Sequence, residues 1–359
     1  MELHLTPEQV LLRDSAARVV GVAGPKPAHR LRGGAPTLRA AGELGWLGML
    51  VAETQGGHGL GITELALVLE QTGRGLVSAP IGLAAVGAAA LARTAVPHPV
   101  LSRVVTGEAL VVAALEERAH GDDPLKPATR AVAEAAAVRL TGRKLFVCGA
   151  EADGFLVSAS IPGGSILCLV ARDAPGVSLE PVAAVDGGTL VTLDLAGATA
   201  EPVPPHPSSQ SAVDGLYNLS LVALAAELLG VMAQAQRITL DYLRIRKQFG
   251  KPIGSFQALQ HQAANMHLRT EAVRSLIFEI AASSEPWRID PAMAAAAKAK
   301  ASEDALLVTK TCIQLHGAIG FTDEHDIGRY LKRAMVLSSL LGNAAAQRRR
   351  FAALAGLTA

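Results

Sequence analysis

Residues 212–247 form a long segment that is apolar on nearly every face. A helix that is hydrophobic all round belongs at the centre of a fold, because it has no face left for water. Gly250 and Pro252 follow directly; a glycine can adopt a positive φ, and a proline cannot continue a helix. The pattern therefore predicts a buried central helix that ends at a corner, and the remaining elements have to pack around it.

Composition narrows the classes of function. The chain has 359 residues, of which 50% are hydrophobic and 18% are charged, and a chain of this length is expected to form two or three domains. Its formal net charge is +1, so no nucleic-acid partner is expected. No signal peptide or membrane-spanning run is predicted, which favours a soluble, cytoplasmic protein without a membrane partner. Three cysteines, Cys148, Cys168 and Cys312, lack metal-binding spacing, so we expect neither a metal site nor a thiol nucleophile.

Hydrophobic periodicity divides the chain into three parts. Residues 1–106 have helical periodicity, residues 107–208 consist of short β-branched segments that end in a Pro-rich linker, and residues 209–359 are helical again. Within the last part, further helices are predicted near 256–283, 290–316 and 324–355. The predicted fold class is α+β multidomain: an N-terminal helical bundle, a middle antiparallel β-domain and a C-terminal four-helix bundle.

Three motifs occur in order along this pattern. The first comprises Leu44-Gly45-Trp46-Leu47-Gly48 and Gly56-Gly57-His58-Gly59, followed by Glu70 and Gly73-Arg74. The second is Arg246-Lys247-Gln248-Phe249-Gly250 with Gln257, and the third is Gln314-Leu315-His316-Gly317-Ala318-Ile319-Gly320-Phe321-Thr322-Asp323-Glu324. Together they resemble the signatures of the acyl-CoA dehydrogenase family over nearly the whole length, with Ala318 in place of one family glycine.

The resemblance implies a cofactor, partners and a set of contacts. Family members remove a proton α to a thioester and pass a hydride from the β carbon to FAD, so it implies an acyl-CoA substrate, FAD, and an electron-transfer flavoprotein as acceptor. It also implies a tetramer, homomeric or heteromeric, in which the second and third motifs reach a neighbour's FAD. The matching FAD-binding residues are Arg246, Phe249, Gln257, Gln314, Gly317, Gly320, Thr322 and Glu324.

The family's catalytic base is not found at either of its two positions. Counting from the third motif, the usual glutamate position matches Leu341, which precedes Gly342; the alternative position, counted from Gly230, matches Ser220. Neither side chain can abstract the α proton, so no catalytic residue is predicted. Glu227, two helical turns beyond Ser220, is expected to pair with a cation rather than to replace the base.

The family's flavin-ring motifs are also altered. Its T-E-P-x-A-G-S-D sequence aligns with residues 115–122, which keep Glu116, Ala119 and Asp122 but have Leu115 in place of the threonine. Its W-(I/V)-(T/S) sequence becomes Phe146-Val147-Cys148. The chain therefore retains the FAD contacts that it would lend to a neighbour and lacks several of its own.

Three functions stay open on this basis. The pattern resembles the base-lacking subunit of bacterial hetero-oligomeric, steroid-type acyl-CoA dehydrogenases, whose partner is a homologous subunit that carries the base. The alternatives are a homotetrameric dehydrogenase whose base is Glu227, Glu116 or Asp122, and a non-redox acyl-CoA-binding or scaffolding protein that kept the fold.

Overall fold

The computed structural model describes residues 5–21, 35–93, 98–118, 123, 125–134, 137–203, 212–322 and 324–357. The N-terminal part is helical, as predicted, and α1 begins at a capping box between Thr6 and Gln9. Its helices are α1 (Pro7–Val19), α2 (Ala35–Glu43), α3 (Ile62–Arg74), α4 (Ile81–Leu91) and α5 (Leu101–Val105).

The middle part is a seven-stranded sheet that is mixed rather than wholly antiparallel. Its strands are β1 (Val111–Ala114), β2 (Arg130–Glu134), β3 (Ala137–Cys148), β4 (Gly154–Ile161), β5 (Gly164–Ala171), β6 (Val177–Ala183) and β7 (Thr189–Val203). The first strand pairs parallel to β4, with Val111 opposite Gly154, and β2 meets β4 in parallel at one position. Because β4 also pairs with β5, and β5 with β7, the strands β4, β2, β3, β7 and β5 close into a ring.

The C-terminal part has five helices among the described residues, where four were predicted. They are α6 (Ala212–Ile245), α7 (Gln257–Ser283), α8 (Pro291–His316), α9 (Ile327–Ser339) and α10 (Ala344–Leu354). The predicted corner after α6 is a hairpin of β8 (Lys247–Gln248) and β9 (Lys251–Pro252). The helix predicted over 324–355 is instead two helices, because residues 340–343 form a turn between them.

Helix α6 is the central helix that the sequence predicts. It packs against α3, α4, α7, α8 and α9, and glycines allow its closest crossing: a Cβ on Gly230 would lie 1.9 Å from the Glu70 carbonyl oxygen, and one on Gly73 would lie 2.0 Å from that of Glu227. By length and composition α6 could cross a membrane, but 94% of its most apolar window is buried within the protein. The same composition is expected of a core helix.

Some of the sequence predictions fall outside the described residues. These include Ala119, Asp122, Asp323 and residues 204–211, which hold most of the predicted linker. The change from helices to strands lies between α5 and β1, and the return to helices lies between β7 and α6. The domain boundaries at 106 and 208 stay predictions.

Candidate functional site

The turn between α9 and α10 contains the position where the resemblance places the catalytic base. Leu341 has a φ of +54° and Gly342 a φ of +90°, and helix α10 restarts after Asn343, whose side chain accepts a hydrogen bond from the Ala346 amide at 3.0 Å. A left-handed conformation costs an L-residue roughly 1–2 kcal/mol, so surrounding contacts must hold Leu341 in place.

Those contacts bind both polar groups of the Leu341 backbone. The Glu116 carboxylate accepts hydrogen bonds from the amides of Leu341 and Gly342, at 2.8 and 3.1 Å. The Tyr217 hydroxyl and the Gln347 amide donate to the Leu341 carbonyl, at 3.0 and 2.5 Å. Bonds to a charged acceptor are among the stronger ones in proteins, so the turn is firmly placed.

A buried lysine supports the same turn from helix α8. The Lys298 ammonium has no exposed surface and donates to the Ser302 hydroxyl and to the carbonyls of Ser338 and Gly342, at 2.9, 3.1 and 3.3 Å. Burial lowers the pKa of Lys298 to about 7, against a smaller opposing effect from the Glu116 carboxylate. The sequence did not single out Lys298, which follows a run of four alanines and precedes Lys300 by two residues.

The alternative base position, Ser220, lies within α6. Ser220 is fully buried, and its hydroxyl donates to the Leu216 carbonyl at 2.7 Å. This bond occupies the hydroxyl with the helix's own backbone. Ser220 therefore has no activating base among its described contacts.

Glu227 pairs with a cation, as the sequence reasoning expected, and the cation is Arg333 on α9. Its guanidinium contacts Glu227 at 2.5 Å and Asp186 at 3.0 Å, and donates to the Val77 carbonyl at 3.3 Å. Burial alone would lower the pKa of Arg333, but the two carboxylates outweigh it and raise the pKa. Arg333 therefore joins all three parts of the chain, a role that the sequence did not reveal.

Two cavities adjoin Arg333. The smaller has a volume of about 20 Å³ and is enclosed by α4, α6 and α9, with lining residues Pro80, Gly82, Leu83, Cys148, Ala223, Leu224, Glu227, Arg333, Leu337 and Leu340. The larger, about 340 Å³, lies among the sheet, the α9 helix and the N-terminal helices. Pro80, Cys148 and Arg333 line both.

Of the altered flavin-ring residues, Cys148 lines both cavities. Leu115 is buried and follows β1 directly, whereas Phe146 has a φ of +54°. Burial raises the pKa of the Cys148 thiol to about 12, so the thiol stays protonated and does not act as a nucleophile. Lys144, in β3, is buried, and its ammonium contacts the Glu117 carboxylate at 2.7 Å.

The residues matched to a neighbour's FAD lie together at one end of the helical bundle, on the surface. Arg246, Gln257, Gln314, Gly317, Thr322 and Glu324 are exposed. Phe249 is 90% exposed and has a φ of +53°, and its ring meets that of Phe256 edge-on at 6.1 Å. Phe321 is 79% exposed.

The two glycines of this surface serve different purposes. A Cβ on Gly317 would meet no atom within 4 Å, and its φ is +69°. A Cβ on Gly320 would lie 2.8 Å from the Ile313 carbonyl oxygen, so glycine at 320 permits close packing on α8. Next to Gly317, the buried ring of His316 stacks on Tyr242 with centroids 4.5 Å apart, which fixes the end of α8 against α6.

Comparison with known proteins decides the family. Residues 6–98 match the acyl-CoA dehydrogenase N-terminal domain, and residues 215–355 match the C-terminal domain. Acyl-CoA dehydrogenase FadE27 of Mycobacterium tuberculosis is 31% identical over 324 residues, covering 86% of this chain and 84% of that protein. This chain belongs to the acyl-CoA dehydrogenase family.

Solved structures agree with that assignment. The Tcur3481-Tcur3483 steroid ACAD G363A variant matches with a TM-score of 0.89 and 32% identity over 98% of both chains. The ChsE4-ChsE5 complex from Mycobacterium tuberculosis matches with a TM-score of 0.86 and 27% identity over 100% of both chains. A glutaryl-CoA dehydrogenase from Mycobacterium smegmatis, in complex with FADH2, shares the fold at 20% identity, a TM-score of 0.85 and coverage of 98% of this chain and 95% of that one.

These findings confirm three predictions. The three-part fold, the oxidoreductase class acting on acyl-CoA, and FAD as the family's cofactor are as the sequence indicated. The role without a base, the residue assignments and the oligomeric state belong to the proposal that follows.

Proposed function

We propose that this chain is the base-lacking subunit of a hetero-oligomeric acyl-CoA dehydrogenase and that it binds FAD jointly with a homologous subunit that carries the glutamate. The observation that carries the proposal is Leu341. At the position that the resemblance matches to the base, the chain has an apolar side chain, on a turn whose Leu341 and Gly342 amides and Leu341 carbonyl are bound by Glu116, Tyr217 and Gln347. The turn is intact, but its side chain cannot take a proton.

No carboxylate in the described part of this region is placed as a substitute. Glu116 is engaged by two backbone amides, and Glu227 is engaged by the Arg333 guanidinium. A carboxylate that holds such contacts is oriented toward them and away from a substrate. Asp122, the remaining candidate, lies outside the described residues.

The exposed end of the bundle fits a role in holding FAD of a neighbouring subunit. Arg246 offers a fork of donors suited to a pyrophosphate, and its side chain has no hydrogen bond among the described residues. Gln257 and Gln314 add exposed amide groups, and the open space beside Gly317 leaves room for a ligand. When bound, FAD would accept the hydride from the substrate's β carbon.

This chain's own side of the site fits a flavin ring less well. A ring of that kind is held by several fixed donors and acceptors, whereas Leu115 offers no side-chain hydrogen bond and Cys148 only a weak one. These substitutions favour an arrangement in which the catalytic site is built around the partner's flavin-ring contacts.

The relatives support a substrate class and an assembly for the proposal. The names of two structural relatives are those of a steroid enzyme and of a two-protein complex, which supports a steroid-type acyl-CoA substrate and a heteromeric tetramer for this chain. Within it, residues 1–106, 107–208 and 209–359 would form the N-terminal, middle and oligomerisation domains. An electron-transfer flavoprotein as acceptor and a cytoplasmic location complete the proposal.

Co-expression with a homologous subunit that has a glutamate at the position of Leu341 tests the assembly. Native mass spectrometry of the purified complex should show both chains and bound FAD, with fewer flavins than subunits. The chain expressed alone should retain little FAD. A stable homotetramer with one FAD per chain would contradict the proposal, and colourless protein in both preparations would favour the scaffolding alternative.

A further inference from the structure

The ion pair between Glu227 and Arg333 lies beside both positions where the family carries its base. Leu340, which precedes Leu341, lines the smaller cavity from one side. Ala223 and Leu224, about one helical turn from Ser220, line it from the other. A thioester whose α carbon reached either position would extend its acyl chain toward this space.

The space is too small for an acyl chain. Its volume is about 20 Å³, which is close to that of a single water molecule, whereas pockets for small molecules usually measure about 300–1,000 Å³. The second cavity that Arg333 lines measures about 340 Å³. Arg333 lines both cavities, so its side chain forms part of the wall between them.

The guanidinium is held firmly in that wall. Its side chain is 13% exposed, and those of Glu227 and Asp186 are 9% and 10% exposed. Contacts to two carboxylates and to the Val77 carbonyl fix its fork in one orientation. Displacing it would leave two largely buried carboxylates without their cation, which is costly. An entering acyl chain is therefore unable to push it aside cheaply.

We propose that Arg333, fixed by Glu227 and Asp186, is a plug that closes the acyl cavity of this chain, so that this subunit takes no acyl-CoA of its own. The inference rests on the proposed function, because it uses the base positions to locate the acyl chain. It adds that the loss of catalysis here extends from the base to the binding of substrate. Acyl-CoA in the assembly then binds at the partner's site alone.

Two double variants of the full-length chain separate the volume of the plug from its charge. Arg333→Ala with Glu227→Ala removes both side chains and joins the two cavities. Arg333→Met with Glu227→Gln removes the same charges but keeps most of the volume, and is the matched control. Binding of octanoyl-CoA is measured by calorimetry against free CoA, which reports the contribution of the nucleotide part.

For the wild type and the Met/Gln control we expect octanoyl-CoA to bind no more tightly than CoA. The Ala/Ala variant should bind octanoyl-CoA at least about tenfold more tightly than CoA. A folded Ala/Ala variant without this gain would overturn the proposal, as would a wild-type chain that already prefers octanoyl-CoA.

A second measurement needs no variant. Wild-type chain is irradiated with a photoreactive octanoyl-CoA, and the labelled peptides are mapped. No labelling is expected on the cavity-lining residues of α4, α6 and α9, and labelling at Ala223, Leu224 or Leu337 would overturn the plug. Acyl-CoA oxidation that depends on the partner subunit is a separate readout of the proposed function. If the labelling overturns the role of Arg333 but oxidation still requires the partner, the proposed function stands and only the plug is rejected.

Discussion

Two regions of this protein carry family motifs, and they differ in how their polar groups are used. In the turn at residues 340–343, the Leu341 amide and carbonyl and both Gly342 backbone groups are bound by other parts of the same chain. At the end of the bundle, the side chains of Arg246, Gln257 and Gln314 are exposed. The first region is complete within one subunit, whereas the second has donors that no described residue takes up.

The difference indicates where the chain is specialised. A family-like turn persists around an apolar side chain because Glu116, Lys298 and Tyr217 also stabilise the fold. An exposed set of donors with two exposed phenylalanines adds little to the stability of one subunit, so a partner or ligand is the better explanation for it. We therefore attribute the turn to structure and the exposed end to association.

Glu116→Gln, in the turn region, should give the largest effect, which is on the free energy of unfolding. An amide cannot accept from two backbone amides with the strength of a carboxylate, and its NH2 group would face a donor, so we expect a loss of about 2–3 kcal/mol in the free energy of unfolding. Urea denaturation measures it. Glu53→Gln, at an exposed position, is the control and should change stability little. An equally small effect for Glu116→Gln would show that the turn is not held as described.

Arg246→Ala tests the exposed end. Loss of one arginine–phosphate contact, worth about 1.5–3 kcal/mol, should weaken FAD retention in the complex by roughly ten- to a hundredfold. Flavin absorbance after gel filtration at increasing dilution measures it. Arg244→Ala is the matched control, because Arg244 lies two residues earlier and its guanidinium is paired with the Asp241 carboxylate at 3.1 Å. Unchanged flavin content in the Arg246 variant would contradict the cross-subunit role.

Lys298 should make the stability of the protein rise with pH near neutrality. Its pKa is about 7 in the fold and near 10.5 when unfolded, so the unfolded chain binds more protons between these values and the cost of the buried charge falls as pH rises. The gain should be about 1.6 kcal/mol between pH 7 and 8.5. Above this range the buried thiols, whose pKa burial raises to about 12, oppose the trend.

Urea denaturation at pH 7.0, 7.75 and 8.5 measures this slope. Lys298→Met should flatten it, whereas Lys310→Met, at an exposed position of the same helix, should leave it unchanged. Identical slopes in wild type and Lys298→Met would show that the pKa of Lys298 is not lowered in the fold and that the lysine stays charged over this range.

Leu341→Glu is the substitution for which we expect no effect on activity. Leu341→Glu places an acid at the base position, but we expect no recovery of acyl-CoA oxidation by the chain alone, because Arg333 closes the cavity and Leu115 and Cys148 hold a flavin ring poorly. An assay with an artificial electron acceptor measures it. A rise of tenfold or more over wild type would show that flavin and thioester already bind here in register.

How much of this could be read from the sequence depended on the range of the interactions involved. Periodicity predicted the central helix and the order of helices and strands, since both follow from local burial. It did not predict the break at Leu341, because the left-handed turn is imposed by Glu116, 225 residues away in the chain. The sequence predicted that Glu227 pairs with a cation but did not identify Arg333, and it gave almost no indication that Lys298 is buried. The Glu227–Arg333 pair and the burial of Lys298 both depend on packing between distant helices.

The central claim is that catalysis requires a base from another subunit, and steady-state oxidation of acyl-CoA tests it most directly. The chain alone is compared with its complex with a base-bearing homologue, and with the same complex in which the partner's glutamate is changed to glutamine. A missing base costs about 10²–10⁴ in rate, so we expect turnover only in the unaltered complex. Robust oxidation by the chain alone, or by the complex with the altered partner, would contradict the account.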